Sequence, residues 1–83
     1  MKLLYFAWLR TTIGVAGEEV TIPPGMRDVA DLLTWLATRG PTYAAALADR
    51  AVVRVAVNQC HARPSHPVED GDEVALFPPV TGG

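Results

Sequence analysis

Three groups of residues in the chain are of types that do chemistry. The first is Cys60, His61 and His66, the only soft metal ligands present. Their spacing, C-H-x4-H, matches no common zinc pattern, and a fourth ligand is missing. Cys60 as a nucleophile would need a base and an electropositive pocket. His61 is its sequence neighbour and on a strand would point to the opposite face. An incidental cysteine and no metal site are expected. The second group is the carboxylates Glu69, Asp70, Asp72 and Glu73. A calcium loop needs a longer ligand set ending in a bidentate glutamate, whereas Asp and Gly side by side make a turn. These residues are expected to form a solvated turn, or failing that a charged docking edge near the tail.

The third group is the end of the chain, ALFPPVTGG. Pro78 and Pro79 stiffen the backbone and forbid a regular ladder beyond Phe77. Thr81 is small, and Gly82 and Gly83 carry no side chain, so these residues fit a channel too narrow for a Cβ. Six residues from Pro78 extend roughly 18–20 Å, enough to reach a site buried in another protein. The carboxylate on Gly83 is ionised at neutral pH and is a poor electrophile. Activation by ATP would make it an acyl-adenylate, from which a sulfur or nitrogen nucleophile displaces AMP. No phosphate-binding glycine loop, no Ser-His-Asp order and no other active site stands out.

The elements that must position this tail follow from the remaining pattern. The 83 residues allow one domain, and 49% are apolar, sufficient for a core without staples. A net charge of −2, one lysine and six scattered arginines argue against nucleic acid. The single cysteine fits a reducing, cytoplasmic setting. In MKLLYFAWLR the apolar run is closed early by Arg10 and no small-residue cleavage site follows, so a leader peptide is not expected. No run is long enough for a membrane helix.

Residues 2–9 alternate as a strand would, with Leu3, Tyr5, Ala7 and Leu9 on one face and Lys2, Leu4, Phe6 and Trp8 on the other. Both faces are apolar, so the strand is either covered on both sides or presents one face to a partner. Glu18–Ile22 reads as a second strand in a hairpin with the first. A helix follows, with Asp28 as cap, Asp31 in its first turn and Val29, Leu32, Leu33 and Leu36 as its apolar stripe. Gly40 and Pro41 are expected to stop it. Residues 43–48 suggest a short second helix. Val53, Val55 and Val57 mark a third strand, residues 60–62 a brief fourth and Glu73–Phe77 a last. The class is α+β, with one main helix packed across a mixed sheet. The domain is expected over residues 1–77 and the tail over 78–83. If the first and last strands are neighbours, Phe6 and Phe77 share a face.

GDEVALFPPVTGG closely resembles the C-terminus of the molybdopterin synthase small-subunit family, a branch of the ubiquitin-like sulfur carriers. KLLYFAWLR, the VNQ of residues 57–59 and HPVEDGDEV of residues 66–74 extend the likeness over the whole chain. The resemblance implies a β-grasp fold. It implies that an E1-like enzyme adenylates Gly83 using ATP, that sulfur transfer makes a thiocarboxylate, and that the tail enters the synthase large subunit. There the sulfur attacks cyclic pyranopterin monophosphate, two carriers being consumed per molybdopterin. The chain itself would bind no cofactor and no metal. Gly82 and Gly83 would carry the chemistry, while Phe6, His61, Phe77, Pro78, Pro79, Val80 and Thr81 would meet the partner. His61 stands where that family often has an apolar residue, and Trp8 is bulkier than expected. Other readings are a sulfur carrier for thiamine or tRNA thiolation, a protein modifier that joins Gly83 to lysines, and a binding module with an inert tail.

Overall fold

A computed structural model of the chain describes residues 1–79. Five strands form one sheet: β1 (Lys2–Tyr5), β2 (Gly17–Glu19), β3 (Arg54–Val57), β4 (Cys60–Ala62) and β5 (Glu73–Phe77). Their order is β2-β1-β5-β3-β4, with β1 and β5 parallel at the centre and the other pairs antiparallel. The first and last strands are therefore neighbours, as the element order suggests.

Three helices accompany the sheet: α1 (Ala7–Ile13), α2 (Val29–Ala37) and α3 (Pro41–Ala46). In α2 the Asp28 carboxylate accepts from the Asp31 backbone N–H at 2.9 Å, closing the first turn; such a cap contributes about 1 kcal/mol. Val29, Leu32, Leu33 and Leu36 are all buried, as the stripe predicts. They pack on Leu3, Tyr5, Val55, Val57, Val74 and Leu76, the alternate residues of the three central strands. Burying one such Leu against water is worth roughly 2–3 kcal/mol.

Four expectations about elements need correction. The strand expected over residues 2–9 ends at Tyr5, and Ala7 begins a helix. Leu9 and Ile13, four apart, are the buried residues of α1, while Trp8 lies exposed on it and not on a sheet face. Gly14 closes α1 at φ 102°, its N–H donating to the Arg10 carbonyl at 2.8 Å, a left-handed cap that suits glycine. Second, β1 and β2 do not form a hairpin, because α1 lies between them. Third, β2 is Gly17–Glu19, not residues 18–22. A Cβ on Gly17 would stand 2.8 Å from the Leu3 carbonyl oxygen, so only glycine lets the two backbones approach there. Fourth, Gly40 and Pro41 do not stop α2, which ends at Ala37; Gly40 precedes α3 and Pro41 is its first residue. A proline suits that position because its missing N–H has no helical partner to lose.

The turn between β3 and β4 accounts for the VNQ motif. Asn58 and Gln59 have φ of 50° and 70°, the two left-handed residues of a tight hairpin. The Asn58 side-chain amide donates to Asp72 at 3.0 Å and its carbonyl accepts from the Glu73 N–H at 3.1 Å. Asp72 in turn accepts from the Glu69 N–H at 2.9 Å. The acidic run is thus a turn, locked to the start of β5.

Candidate functional site

The root of the tail is defined by β5. Phe77 is its last residue and pairs with Arg54 of β3. On its other side, Tyr5 of β1 pairs with Leu76, and the Phe6 N–H donates to the Leu76 carbonyl at 3.1 Å. Phe6 remains extended (φ −124°, ψ 154°), so it continues the strand alternation and falls beside Phe77. Pro78 and Pro79 follow, partly buried and outside the ladder. Val80, Thr81, Gly82 and Gly83, which carry the proposed chemistry and part of the partner contact, lie outside the described residues.

Strand alternation divides the sheet into two unlike faces. The inner face is the core. The outer face carries Leu4, Ala56, Ala75 and Phe77, all partly exposed, with Phe6 and His61 exposed beside them. Phe6 is 49% exposed, high for a residue of its size. His61 pairs in register with Ala56, and its ring meets the Phe77 ring edge-on, centroids 5.4 Å apart at 88°. Phe6, His61, Phe77, Pro78 and Pro79 are therefore gathered at one end of one face. Phe77 is not a core residue. Exposed and half-exposed apolar side chains grouped beside Pro78 and Pro79 suit docking on another protein.

Cys60 is exposed at the β4 edge, and His66 is exposed in the loop after β4, where its main-chain carbonyl accepts from the Val29 N–H and its main-chain N–H donates to the Arg63 carbonyl. Among the described residues no group of three or more His, Cys, Asp and Glu could hold a metal ion. No described helix is long and apolar enough to cross a membrane.

On the inner side a polar cluster that sequence reasoning missed braces the fold. The Glu18 carboxylate accepts from the Tyr5 hydroxyl at 2.8 Å and the Tyr43 hydroxyl at 2.7 Å, and pairs with the Arg39 guanidinium at 2.9 Å. Arg39 also lies over the rings of Trp35 and Tyr43, 5.4 and 4.9 Å from their centroids. The partners are 13 and 25 residues from Glu18, too distant for a local pattern to reveal. Burial works to raise the Glu18 carboxyl, but hydrogen bonds from Tyr43, Tyr5 and Arg39 prevail and hold it below its ordinary value of 4.5. For Tyr5, burial first and then the Glu18 hydrogen bond and charge push the phenol well up.

The sign of the resulting pH dependence is fixed. A carboxyl depressed by folding stabilises above its unfolded pKa, and that increment vanishes as pH falls through the lower folded value. Glu18→Gln is expected to cost about 2 kcal/mol at neutral pH, as for a part-buried charged hydrogen-bond centre. Urea melts taken downward from pH 7 should show the native and variant proteins converging below pH 4.5. A gap that stays constant in acid would contradict this assignment.

The family model described as ThiS family matches residues 3–83. The chain belongs to the ThiS family. Among relatives, the molybdopterin synthase sulfur carrier subunit of Escherichia coli (strain K12) is 41% identical over 83 residues, covering 100% of this chain and 99% of that one. The subunit of the same name from Haemophilus influenzae is 35% identical, with coverage of 100% and 99%. Among solved structures, small archaeal modifier protein 1 of Haloferax volcanii superposes with a TM-score of 0.75 at 29% identity, covering 96% of this chain and 97% of that one. The fold of this ThiS-family chain is accordingly the ubiquitin-like β-grasp: a mixed five-stranded sheet with helices packed on one face. Beside the main helix α2 and the short second helix expected near residues 43–48, found as α3 (Pro41–Ala46), the unexpected element is the short α1. The matched region takes in the first strand from Leu3 onward, the outer-face residues and the tail root.

Proposed function

We propose that the chain is the sulfur carrier subunit of a molybdopterin synthase, with Gly83 as its reacting residue. The observation that carries the reading is the position of the tail root: the sequence FPPVTGG leaves the central strand of the sheet beside an uncovered apolar face. Full-length similarity to two carrier subunits of that name supports it. The Gly83 carboxylate attacks the α-phosphorus of ATP in an E1-like activating enzyme and releases pyrophosphate. A sulfur nucleophile then displaces AMP and leaves a thiocarboxylate on Gly83. The tail enters the synthase large subunit, where the sulfur passes to cyclic pyranopterin monophosphate. The carrier's own residues do two things. Pro78 to Gly82 deliver the terminus through a narrow channel, and Phe6, His61 and Phe77 seat the outer face on the partner. In this reading the chain holds no cofactor, ATP serves only the activating enzyme, and the reaction is cytoplasmic.

The likeness to a small archaeal modifier protein supports a second reading, in which the activated Gly83 acylates lysines of other proteins. Intact mass of the protein purified from its native cells separates the two. The carrier reading expects a fraction heavier by one oxygen exchanged for sulfur, localised to Gly83. Higher-mass conjugates without any such fraction would replace it with the modifier reading.

A further inference from the structure

Charge is unevenly placed on this sheet, and the imbalance coincides with the tail. Phe77 pairs with Arg54, and the Arg54 guanidinium is held at that end of the sheet by donating to the Ala51 carbonyl at 2.9 Å. Continuing the register in which Val55 pairs with Ala62 sets Arg63 opposite Arg54. Arg50, in the 3-10 turn just before β3, donates to the Thr34 hydroxyl at 3.1 Å. Arg10 sits on α1, which starts where β1 ends. All four are exposed, and none forms an ion pair among the described residues.

The acids near this end are already engaged. Asp49 accepts from the Ala51 N–H, Asp28 caps α2, and Asp31 is paired with Arg27 at 3.1 Å. At the far end of the sheet the balance reverses. Glu19 and Glu73 flank Lys2, and Glu19 and Asp70 lie 3.9 and 3.8 Å from the amino terminus. A chain of net charge −2 thus leads with positive charge where its tail emerges.

Building on the carrier reading, we propose that Arg50, Arg54, Arg63 and Arg10 form an electropositive collar that docks on a carboxylate-lined rim around the partner's tail channel. Among the described residues no carboxylate pairs with any of these four guanidiniums, and the hydrogen bonds of Arg54 and Arg50 to Ala51 and Thr34 leave their charge uncompensated. Opposite charge on a docking partner would supply that compensation. Arginine is the cation least penalised at such an interface, since its guanidinium is weakly hydrated and grips carboxylates in a fork. The collar is compatible with an anionic terminus, because six extended residues would span roughly 18–20 Å, more than a Debye length of about 8 Å at physiological salt. A partner can therefore be acidic at its rim and cationic at its floor. Rim charges of this kind act chiefly on encounter rate and salt sensitivity.

The test is the association rate with the synthase large subunit encoded in the same genome, measured by stopped flow at low and high NaCl. Wild type is expected to associate at least about tenfold faster at low salt than at high salt. Arg54→Glu with Arg63→Glu should remove most of that advantage, with the dissociation rate little changed, and the Gln pair should fall between. Glu69→Lys, at the acidic turn, should leave the rate within about twofold of wild type. Circular dichroism on each variant checks that the fold is intact, the Gln pair serving should the Glu pair unfold. A wild-type rate indifferent to salt and to both arginine pairs overturns the acidic-rim inference while the carrier reading stands. No association at any salt overturns both.

Discussion

Deleting Gly82 and Gly83 is expected to abolish thiocarboxylate formation outright while the thermal midpoint stays where it was. Both halves of this expectation have a physical basis. Among the described residues the last core residue is Leu76 and the last ladder contact belongs to Phe77, so the deletion leaves that core and that ladder intact. The chemistry, by contrast, needs a terminal carboxylate at the correct reach. The shortened chain still ends in a carboxylate, but on Thr81, two residues nearer the sheet. At about 3.3–3.6 Å per extended residue that terminus falls some 7 Å short, and proximity effects of this kind are worth orders of magnitude in rate. Gly82→Val keeps the reach and adds a branched Cβ. It should load poorly for a different reason, because the channel that admits glycine excludes it. Incubation with the activating enzyme, ATP and a sulfur donor, read by intact mass, distinguishes these cases. Full loading of the deletion variant would remove Gly83 from the mechanism.

Much of the framework that presents this tail was legible in the sequence, and the failures have definite causes. Asp28, the 29-32-33-36 stripe and the Val55–Val57 alternation each encode one structure locally, so α2 and β3 formed where the pattern places them. Residues 2–9 do not. With both strand faces apolar, a period of two and a period of 3.6 fit equally well. What decides the matter is the Leu9–Ile13 spacing and the glycine cap at Gly14. The left-handed φ of 55° at Ala7, which turns the strand into the helix, has no cue in an alanine. The Glu18 cluster and the arginine collar were hidden for another reason. Both are products of strand order, which brings together residues distant in the chain, and neither leaves a periodic trace.

Phe77→Arg is the second change expected to have a large effect, and it separates an interface role from a packing role. In the structure Phe77 ends the central strand on the outer face, partly exposed, touching the edge of His61 and absent from the core. An arginine there needs no burial, so the fold should survive with a modest loss of stability. Association with the large subunit should weaken by about 2–4 kcal/mol, the range for a central aromatic anchor, or roughly 30- to 1,000-fold in Kd. Its register partner is Arg54, so the new side chain also adds like charge to the collar, and an acidic rim would return part of the loss. Phe77→Ala removes the ring without adding charge and should weaken binding without that compensation. Leu76→Arg supplies the contrast, since Leu76 is fully buried and an unpaired charge there should unfold the domain. Should Phe77→Arg unfold as Leu76→Arg does, Phe77 belongs to the core, and the outer face loses its anchor.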